Sequence, residues 1–507
     1  MLSGDLKGGK IGMVKLVSAL AAKKADELTM QKGVTSVDLM KKVAEGVLDN
    51  VTLGEGRSLI VSGKGGNGGD GYALYLLMQK RGLPVDIVDF GESKHEGAAK
   101  LRAECKEIIP FSDTLDFSSY QTIFDCILGI GLGRAPQGET LAAIKKINAS
   151  GAEVIAVDIA SGLTADGGVA LGESVNARTT IAVQNLKLGH FLNDGLDSTG
   201  EVGALDVGIV EAQADAYLVE ESDVTPLFPP LKRNVHKGTM GRLCVIAGSE
   251  SYSGAAVIAE LGATAFALGD GLVKLCVPDC VLYPVMNKIT ECTLFSLPSK
   301  DGRIAFDEST LQKAVCGADA VLFGNGVDIS DDGRKIVRYL IKNLSVPLVL
   351  DADGLNMLSE EPTLLYERAG VTVLTPHPRE MSRLLGIPTE EIISDPVSYA
   401  KEFAARYHVI VALKGASTVV SDGNTAFVST TGTPGMAKGG SGDLLAGAIA
   451  ALLAGGRDAM LSTYGAAYIL GLAGEGAANE MGAYSSLPTD THRHIAGVVK
   501  YLSEKAK

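Results

Sequence analysis

The sequence predicts an α/β protein with two domains, and three observations lead to this prediction. The chain has 507 residues, whereas single hydrophobic cores stop growing at roughly 250–300 residues. Hydrophobic residues make up 46% of the chain and 62 residues are glycine, a composition typical of large cores with many tight turns. Short apolar runs alternate with helix-like segments, which indicates mostly parallel sheets covered on both faces.

The first half begins with a helix-like segment, residues 13–50, in which apolar side chains recur at helical spacing. An apolar strand at 58–61 then enters a glycine cluster at 63–71, and a helix is predicted over 72–81. The remaining strand candidates of this half are apolar runs at 85–90, 122–128, 154–159, 179–183 and 205–209.

The domain boundary is predicted where this alternation stops. Residues 223–233 hold three prolines and end on Lys232-Arg233, which is typical of a linker, so the predicted domains are 1–222 and 223–507. The second half repeats the α/β alternation, with a hairpin at 417–429 and two closing helices at 441–455 and 461–480. Its other predicted strands lie at 243–247, 272–277, 320–323, 348–350, 371–374 and 409–413.

Charge, hydropathy and cysteine content exclude several classes of function. The net charge of −14 argues against nucleic-acid binding, which needs a basic surface. We expect no membrane segment and a cytoplasmic location, because no apolar stretch reaches about 18 residues and no signal-like segment begins the chain. The seven cysteines are scattered, and Cys276 and Cys280 lack a second pair at metal-site spacing. Reduced thiols are therefore expected, and no zinc site.

The glycine cluster at 63–71 lies between a predicted strand and a predicted helix. Ligands of open α/β sheets bind at the carboxyl ends of strands, where such a loop offers backbone N–H groups. A tight turn without a ligand is the alternative. Asn67 and Asp70 favour a binding loop, because a turn alone does not need a carboxamide and a carboxylate beside one crevice.

Two later strand ends add polar groups to the same edge of the sheet. Asp125 precedes a second glycine loop, and Asp158 and Ser161 follow another strand. Asn67, Asp125 and Ser161 offer hard oxygen ligands for a monovalent cation. Asp158 is placed to move protons, with turn capping as its alternative role.

These segments, in this order and spacing, resemble the NAD(P)H-hydrate epimerase domain over roughly residues 15–215. The resemblance implies a Rossmann-like three-layer sandwich that binds K⁺ and interconverts the R and S epimers of NADHX or NADPHX, nicotinamide cofactors hydrated at C6. It assigns the cation to Asn67, Asp125 and Ser161. It assigns the substrate to Gly66, Asn67, Gly68, Gly69, Asp70, Gly129, Ile130, Gly131, Leu132, Gly133, Arg134, Ala135 and Asp158.

For the proton transfer that epimerisation requires, Asp158 is the first candidate and Asp70 the second. Lys187 is a third and weaker candidate, for which a solvated surface position is the preferred interpretation. The chain departs from the epimerase pattern at Lys64, Gly66 and Ala160, where the family usually has Pro, Asn and Pro. Lys41 and Glu45 also differ, because the family favours an acidic residue and a glycine there.

The second half carries its clearest chemistry at Gly439-Gly440-Ser441-Gly442-Asp443, which precedes an apolar helix. Free N–H groups at a helix N-terminus compensate the charge of a phosphoryl group, and Asp443 is placed to accept a proton from an attacking hydroxyl. A simple first-turn aspartate is the alternative.

Lys414 ends a buried strand, and His377 stands between two prolines as a fixed ligand contact or a packed loop residue. Glu380 is interpreted as a helix cap. Its alternative role is to orient a water molecule bound to magnesium.

From about residue 232 to 500 the chain resembles the ADP/ATP-dependent NAD(P)H-hydrate dehydratase of the ribokinase-like superfamily. The resemblance implies phosphorylation of the C6 hydroxyl of the S epimer, followed by loss of phosphate, with Mg²⁺ and ADP or ATP. Nucleotide contacts would come from Lys414, Gly415, Ala416, Ser417, Thr418 and Gly442. Hydrate contacts would come from Ala256, Gly326, His377 and Asp443. Gly324-Asn325-Gly326 departs from the family's usual Gly-Pro-Gly.

Together the two resemblances predict a bifunctional enzyme that repairs hydrated nicotinamide cofactors, with small-molecule partners and a homo-oligomeric state. Two alternatives remain open at this point. The first is a ribokinase-like kinase for a small alcohol, with a non-catalytic N-terminal domain. The second is an N-terminal scaffold for a protein, lipid or RNA. The preferences between ADP and ATP and between NADHX and NADPHX are left open.

Overall fold

The computed structural model describes residues 13–262 and 271–506. The chain divides into two compact units, Met1–Tyr217 and Leu218–Lys507, whereas the sequence-based division lies between residues 222 and 223. Among the described residues, no helix combines the length and apolar character that crossing a bilayer requires.

The first unit alternates strands and helices along the chain. Its helices are α1 (Ala19–Gln31), α2 (Ser36–Asn50), α3 (Gly66–Lys80), α4 (Glu96–Glu104), α5 (Gly138–Ala149) and α6 (Gly195–Ser198). Its strands are β1 (Val14–Val17), β2 (Ser58–Ser62), β3 (Val85–Asp89), β4 (Ile108–Pro110), β5 (Thr122–Cys126), β6 (Glu153–Val157), β7 (Thr179–Val183), β8 (Leu186–Lys187) and β9 (Glu201–Leu205). A short strand, β10 (Ala216–Leu218), spans the point where the chain enters the second unit.

The main sheet of the first unit has the strand order β4-β3-β2-β5-β6-β7-β9, and all of its pairings are parallel. Ile60 packs into the core on one face of this sheet, while Leu59 and Val61 pack into the core on the other face. Because neighbouring residues of one strand are buried on opposite faces, both faces are covered. The predicted three-layer, Rossmann-like arrangement is confirmed.

Three predicted elements of this unit differ from the structure. Residues 13–50 form a strand and two helices, because Thr35 and Asp38 make a capping box that begins α2. The helix predicted over 72–81 begins at Gly66, inside the glycine cluster. The strand predicted at 205–209 ends at Leu205, since Gly208 has a φ of +82° that does not fit a strand.

The second unit also alternates strands and helices. Its helices are α7 (Glu221–Val224), α8 (Ser253–Gly262), α9 (Leu282–Met286), α10 (Glu308–Val315), α11 (Asp331–Asn343), α12 (Asp353–Leu358), α13 (Pro378–Leu385), α14 (Thr389–Ser394), α15 (Pro396–Tyr407), α16 (Ser441–Ala454), α17 (Ala459–Met481) and α18 (Pro488–Lys505). Its strands are β11 (Arg242–Ile246), β12 (Leu272–Pro278), β13 (Thr293–Leu297), β14 (Ser299–Lys300), β15 (Arg303–Ile304), β16 (Ala320–Phe323), β17 (Leu348–Leu350), β18 (Thr372–Leu374), β19 (Ile410–Leu413), β20 (Thr418–Ser421) and β21 (Ala426–Ser429).

The sheet of the second unit runs β13-β12-β11-β16-β17-β18-β19-β20-β21. Its strands pair in parallel from β13 to β19, and β20 and β21 add the predicted antiparallel hairpin. Three helices close the chain where two were predicted. The sequence prediction missed α18 because only a few of its side chains are buried, although Pro488 at its start is a helix signal.

All seven cysteines are free thiols. Cys276 is buried and Cys280 is exposed. Among the described residues, no group of three or more His, Cys, Asp or Glu side chains is placed to hold a metal ion.

Candidate active sites

The candidate site of the first unit lies at the point in its sheet where the strand order reverses. Strand order changes between β2 and β5, and in open α/β sheets ligands bind outside the carboxyl ends at this point. A cavity of about 1040 Å³ opens there, large enough for a dinucleotide. The polypeptide after β2, β5 and β6 contributes to its walls.

Most of the predicted epimerase substrate residues line this cavity. They are Gly66, Asn67, Asp70, Gly129, Ile130, Gly131, Leu132, Gly133, Arg134, Ala135 and Asp158. Gly68 and Gly69 are not lining residues, because both are buried in the first turns of α3. A Cβ on Gly68 would overlap the carbonyl oxygen of Gly63, and one on Gly69 would overlap Met40. These two glycines therefore bring α3 close to its neighbours, and the helix N-terminus faces the cavity.

Hydrogen bonds connect the three predicted cation ligands through Leu128 in the loop after β5. Asp125 is fully buried and accepts hydrogen bonds from the Ser161 backbone N–H at 2.8 Å and the Ser161 hydroxyl at 2.6 Å. Asn67 donates from Nδ2 to the carbonyl of Leu128 at 2.9 Å, while its buried Oδ1 has no hydrogen-bond partner in the structure. Burial raises the pKa of Asp125 to about 6, although its hydrogen bonds lower it. The cluster thus combines an unsatisfied amide oxygen, a hydroxyl and a carboxylate.

Asp158 is held by a buried lysine, which the sequence interpretation had placed on the surface. The Lys187 side chain is only 2% exposed, and its ammonium forms an ion pair with Asp158. The ammonium also donates to the carbonyl of Val183 at 2.9 Å. The solvated interpretation of Lys187 was wrong because a single lysine gives no sequence signal of its burial.

The backbone of Asp158 is also unusual. Its φ is +72°, a region that costs a non-glycine residue energy and that clusters at functional sites. The carbonyl oxygen of Asp158 lies 2.9 Å from Nε2 of His190. Burial lowers the pKa of His190 to about 4, so this imidazole is neutral at physiological pH.

Two further carboxylates face the same cavity. Asp70 was predicted, and burial raises its pKa well above the ordinary value. Asp26 of α1 was missed, although it lines the cavity. Burial, followed by the negative charge of Asp158, raises the pKa of Asp26 to about 6. Its position on a helix far from the glycine loops gave the sequence analysis no reason to select it.

The candidate site of the second unit also lies at a reversal of strand order, between β11 and β16. Asp443 stands in the first turn of α16. Gly440 caps this helix with a φ of +101°, which only glycine adopts readily. Burial raises the pKa of Asp443 to about 6, while a hydrogen bond from Asn325 lowers it.

A buried network extends from Asp443 along the carboxyl ends of the strands. Asn325, which follows β16, donates from Nδ2 to Asp443 at 2.7 Å and to Asp351 at 2.8 Å. Asp351 also accepts from Lys414 at 2.8 Å and from the Thr375 hydroxyl at 2.7 Å. Burial alone lowers the pKa of Lys414, but the Asp351 and Glu380 carboxylates outweigh it and raise that pKa. Asp351, Thr375 and Asn325 were not predicted as site residues.

His377 and Glu380 form the N-terminal cap of α13. The His377 side chain accepts from the Glu380 backbone N–H, and Glu380 accepts from the His377 backbone N–H at 2.8 Å. The preferred interpretation of Glu380 as a cap therefore agrees with the structure. Burial raises the pKa of Glu380 to about 7 and lowers the pKa of His377. The His377 side chain remains 44% exposed.

The other predicted residues of this unit differ in accessibility. Gly415 and Ala416 are exposed in the loop after β19, Ser417 is buried, and Thr418 begins β20. A Cβ on Gly442 would lie 3.2 Å from Nζ of Lys414, so the loop and the start of α16 are brought together. Ala256 is fully buried within α8, and its side chain is not on the surface.

Both units are thus α/β domains with a glycine-lined helix N-terminus and an aspartate beside it, and known proteins carry the same pair of domains. A family model described as NAD(P)H-hydrate dehydratase matches residues 243–496. A model described as YjeF-related protein N-terminus matches residues 26–189. The bifunctional NAD(P)H-hydrate repair enzyme Nnr of Coxiella burnetii is 31% identical, over 94% of this chain and 97% of that protein. The enzyme of the same name from Moorella thermoacetica is 30% identical, over 97% and 98%.

The chain belongs to the family of bifunctional NAD(P)H-hydrate repair enzymes, with an epimerase domain followed by a dehydratase domain. Both predicted resemblances are confirmed, and the match to the first half favours this function over the kinase alternative. A ribokinase-like superfamily protein from Enterococcus faecalis shows the fold, with a TM-score of 0.51 and 23% identity over 58% of this chain and 99% of its own. An ADP/ATP-dependent NAD(P)H-hydrate dehydratase from Bacillus subtilis, co-crystallised with ATP and Mg²⁺, is 27% identical over 57% and 98%, with a TM-score of 0.48.

Proposed function

We propose that Asp443 is the general base with which the second unit activates the C6 hydroxyl of S-NAD(P)HX for phosphorylation. The observation that carries this proposal is the carboxylate itself, buried in the first turn of α16 and held by Asn325 at 2.7 Å. A base of pKa about 6 is ionised at neutral pH and still accepts a proton readily.

The phosphoryl transfer needs in-line positioning and charge compensation. The hydroxyl oxygen attacks the terminal phosphorus of the nucleotide, and the hydroxyl proton passes to Asp443. The bond between that phosphorus and its bridging oxygen breaks, and the shortened nucleotide leaves. The N–H groups at the start of α16 stabilise the transferred group, since a helix N-terminus favours negative charge. Departure of inorganic phosphate then breaks the C6–O bond, the electron pair of a C5–H bond forms the C5=C6 double bond of NAD(P)H, and the released proton passes to water.

Nucleotide contacts are proposed for Lys414 to Thr418 and for Gly442, and hydrate contacts for Gly326 and His377. The predicted hydrate contact of Ala256 stays a prediction, and the structure leaves the whole residue 0% exposed. Mg²⁺ is proposed to enter this site as a companion of the nucleotide. Magnesium sites of this kind use phosphate oxygens and water more than protein cages.

A substitution at Asp443 tests the dehydratase proposal. Asp443→Asn keeps the size of the side chain and removes the base, so we expect nucleotide-dependent formation of NADH from S-NADHX to fall by at least about 100-fold. The control is Asp331→Asn, an exposed aspartate of α11. Wild-type turnover by the Asp443→Asn enzyme would refute the assignment.

In the first unit, Asp158 and its partner Lys187 are proposed to move the proton during epimerisation at C6. An ion pair beside the substrate supplies a carboxylate that accepts a proton and an ammonium that stabilises the developing charge. The cavity, the buried ion pair and the strained backbone of Asp158 support this role. Asp70 remains the second candidate, and it is a weaker one because burial favours its neutral form.

K⁺ is proposed as the cation of the first unit, held by Asn67, Asp125 and Ser161. The donor set fits, because the unpartnered Asn67 Oδ1 lacks a donor or cation and the neighbouring Asp125 is buried. A bound K⁺ would fix the glycine loops that line the cavity.

Thermal unfolding tests the K⁺ proposal. We expect 100 mM KCl to raise the melting temperature relative to tetramethylammonium chloride at equal ionic strength, because a ligand of the folded state alone stabilises it. The increment should be lost in Asn67→Ala and kept in Asn50→Ala, a variant of α2. An equal increment in wild type and Asn67→Ala would contradict the site.

A further inference from the structure

Asn325 is a completely buried residue whose side-chain amide lies between the carboxylates of Asp443 and Asp351. It is 0% exposed and follows β16 at the reversal of strand order. One nitrogen, Nδ2, donates to Asp443 at 2.7 Å and to Asp351 at 2.8 Å. Its Oδ1 is buried and has no hydrogen-bond partner in the structure. An unsatisfied buried acceptor costs free energy, so this orientation of the amide is maintained by its two donor contacts.

We infer that Asn325 is a positioning residue that orients the Asp443 carboxylate toward the reacting hydroxyl and links it to the Asp351–Lys414 ion pair. This inference rests on the proposed role of Asp443 as the base. Asn325 stands where the resemblance to the dehydratase family places a proline, and proline has no side-chain donor. The linkage is therefore a property of this chain rather than of the family pattern.

The geometry of one amide nitrogen explains how the linkage works. Its two N–H bonds point in different directions, so each carboxylate receives one hydrogen bond and the amide separates the two negative groups. Asp351 is fixed on its other side by Lys414 at 2.8 Å and by the Thr375 hydroxyl at 2.7 Å. Asn325 is consequently held at one end, and it transmits this fixed position to Asp443 at the other.

The same contact sets the ionisation of Asp443. The charged groups that face it are Asp351 and Asp353, which favour its protonated form, and Lys414, which favours its carboxylate. Asn325 donates to the carboxylate and therefore lowers a pKa that burial raises to about 6. Removal of this donor should move the pKa upward.

The test is the pH dependence of kcat for nucleotide-dependent dehydration of S-NADHX by the full-length enzyme. For wild type we expect activity to fall as pH decreases through about 6, because the base becomes protonated. Asn325→Ala should move this acidic limb upward by about one pH unit, because hydrogen bonds to charged groups are among the stronger ones. It should also lower kcat on the plateau and leave the KM for the nucleotide close to wild type.

Asn325→Pro is the second variant, because it introduces the residue that the family usually has and removes both N–H donors of the side chain. Asn325→Ser is a partial rescue, because serine supplies one hydroxyl donor. Asn343→Ala, an exposed asparagine of α11 that donates to the Tyr339 carbonyl, is the matched control. Circular dichroism identifies which of the substituted proteins fold. An unmoved acidic limb in a folded Asn325→Ala or Asn325→Pro enzyme would overturn the inference.

The Asp443→Asn enzyme separates this inference from the proposed function. If Asp443→Asn is inactive and the Asn325 variants keep the wild-type profile, Asp443 is the base but Asn325 does not position it. If Asp443→Asn keeps wild-type activity, the proposed base is wrong and the inference falls with it. An acidic limb shifted in both donor-free variants, intermediate in Asn325→Ser and unmoved in Asn343→Ala, supports the linkage.

Discussion

Two aspartates carry the proposed chemistry, and each is held by a different kind of partner. Asp158 pairs with the buried ammonium of Lys187, whereas Asp443 accepts a hydrogen bond from the neutral amide of Asn325. A buried ammonium stabilises a neighbouring negative charge more strongly than an amide does. At the residue scale, the two sites therefore use the same functional group in different electrostatic surroundings.

The Lys187–Asp158 pair gives a prediction for stability and activity. Lys187→Met keeps the aliphatic stem but leaves the Asp158 carboxylate without its buried partner. We expect the free energy of unfolding of the first unit to decrease by about 3 kcal/mol, because breaking a buried pair leaves an uncompensated charge. Epimerisation should be lost in the same variant. Urea unfolding and the rate of R-to-S conversion measure the two effects.

The control for this prediction is Lys24→Met on the exposed side of α1. Its effect on unfolding should stay within about 0.5 kcal/mol, as is usual for surface substitutions. If Lys187→Met were as stable and as active as Lys24→Met, the buried ion pair would have no role in epimerisation.

At the scale of elements, the helices that begin at the two sites explain why the glycine clusters exist. α3 and α16 start directly at glycine-rich segments on the carboxyl-end side of their sheets. Glycine disfavours helix by about 1 kcal/mol per residue, but a side chain on Gly68 or Gly69 would overlap neighbouring atoms. Close packing of the helix N-terminus therefore outweighs helix propensity in α3.

This packing predicts a sharp difference between two glycines of the same loop. Gly68→Ala would force the Gly63 carbonyl to move, whereas a Cβ on Gly65 meets no atom within 4 Å. We expect Gly68→Ala to destabilise the first unit by about 2 kcal/mol, a typical cost of overpacking. Gly65→Ala should be nearly neutral in the same urea titration. Equal stability of the two variants would contradict the close approach of α3 to the loop.

The strands could be predicted from the sequence far better than the site residues that depend on packing. Apolar runs such as 320–323 and 348–350 are buried strands in the structure, because a fully covered parallel strand is apolar along its length. The start of α3 was predicted six residues late, since propensity assigns glycines to a loop. The burial of Lys187 and the roles of Asp26 and Asn325 could not be predicted, because they depend on partners distant in sequence.

At the scale of the whole molecule, one chain carries both steps of a repair sequence. The epimerase supplies the S form that the dehydratase consumes, so a mixture of epimers is converted completely only if both sites work. The expected homo-oligomer and cytoplasmic location stay predictions, as does the domain boundary at residues 222 and 223. The central claim is that Asp158 and Asp443 serve two separate steps.

The most direct test follows the reduced-nicotinamide absorbance after ADP or ATP is added to a mixture of R- and S-NADHX with Mg²⁺ and K⁺. Wild type should recover both fractions, and Asp443→Asn should recover neither within the time that wild type needs. Asp158→Asn should stop when the S fraction is consumed, apart from slow spontaneous epimerisation. Addition of wild-type enzyme to the stalled Asp158→Asn reaction should complete it. Complete recovery by Asp158→Asn at the wild-type rate, or recovery by Asp443→Asn at the wild-type rate, would contradict the division of the two steps between these aspartates.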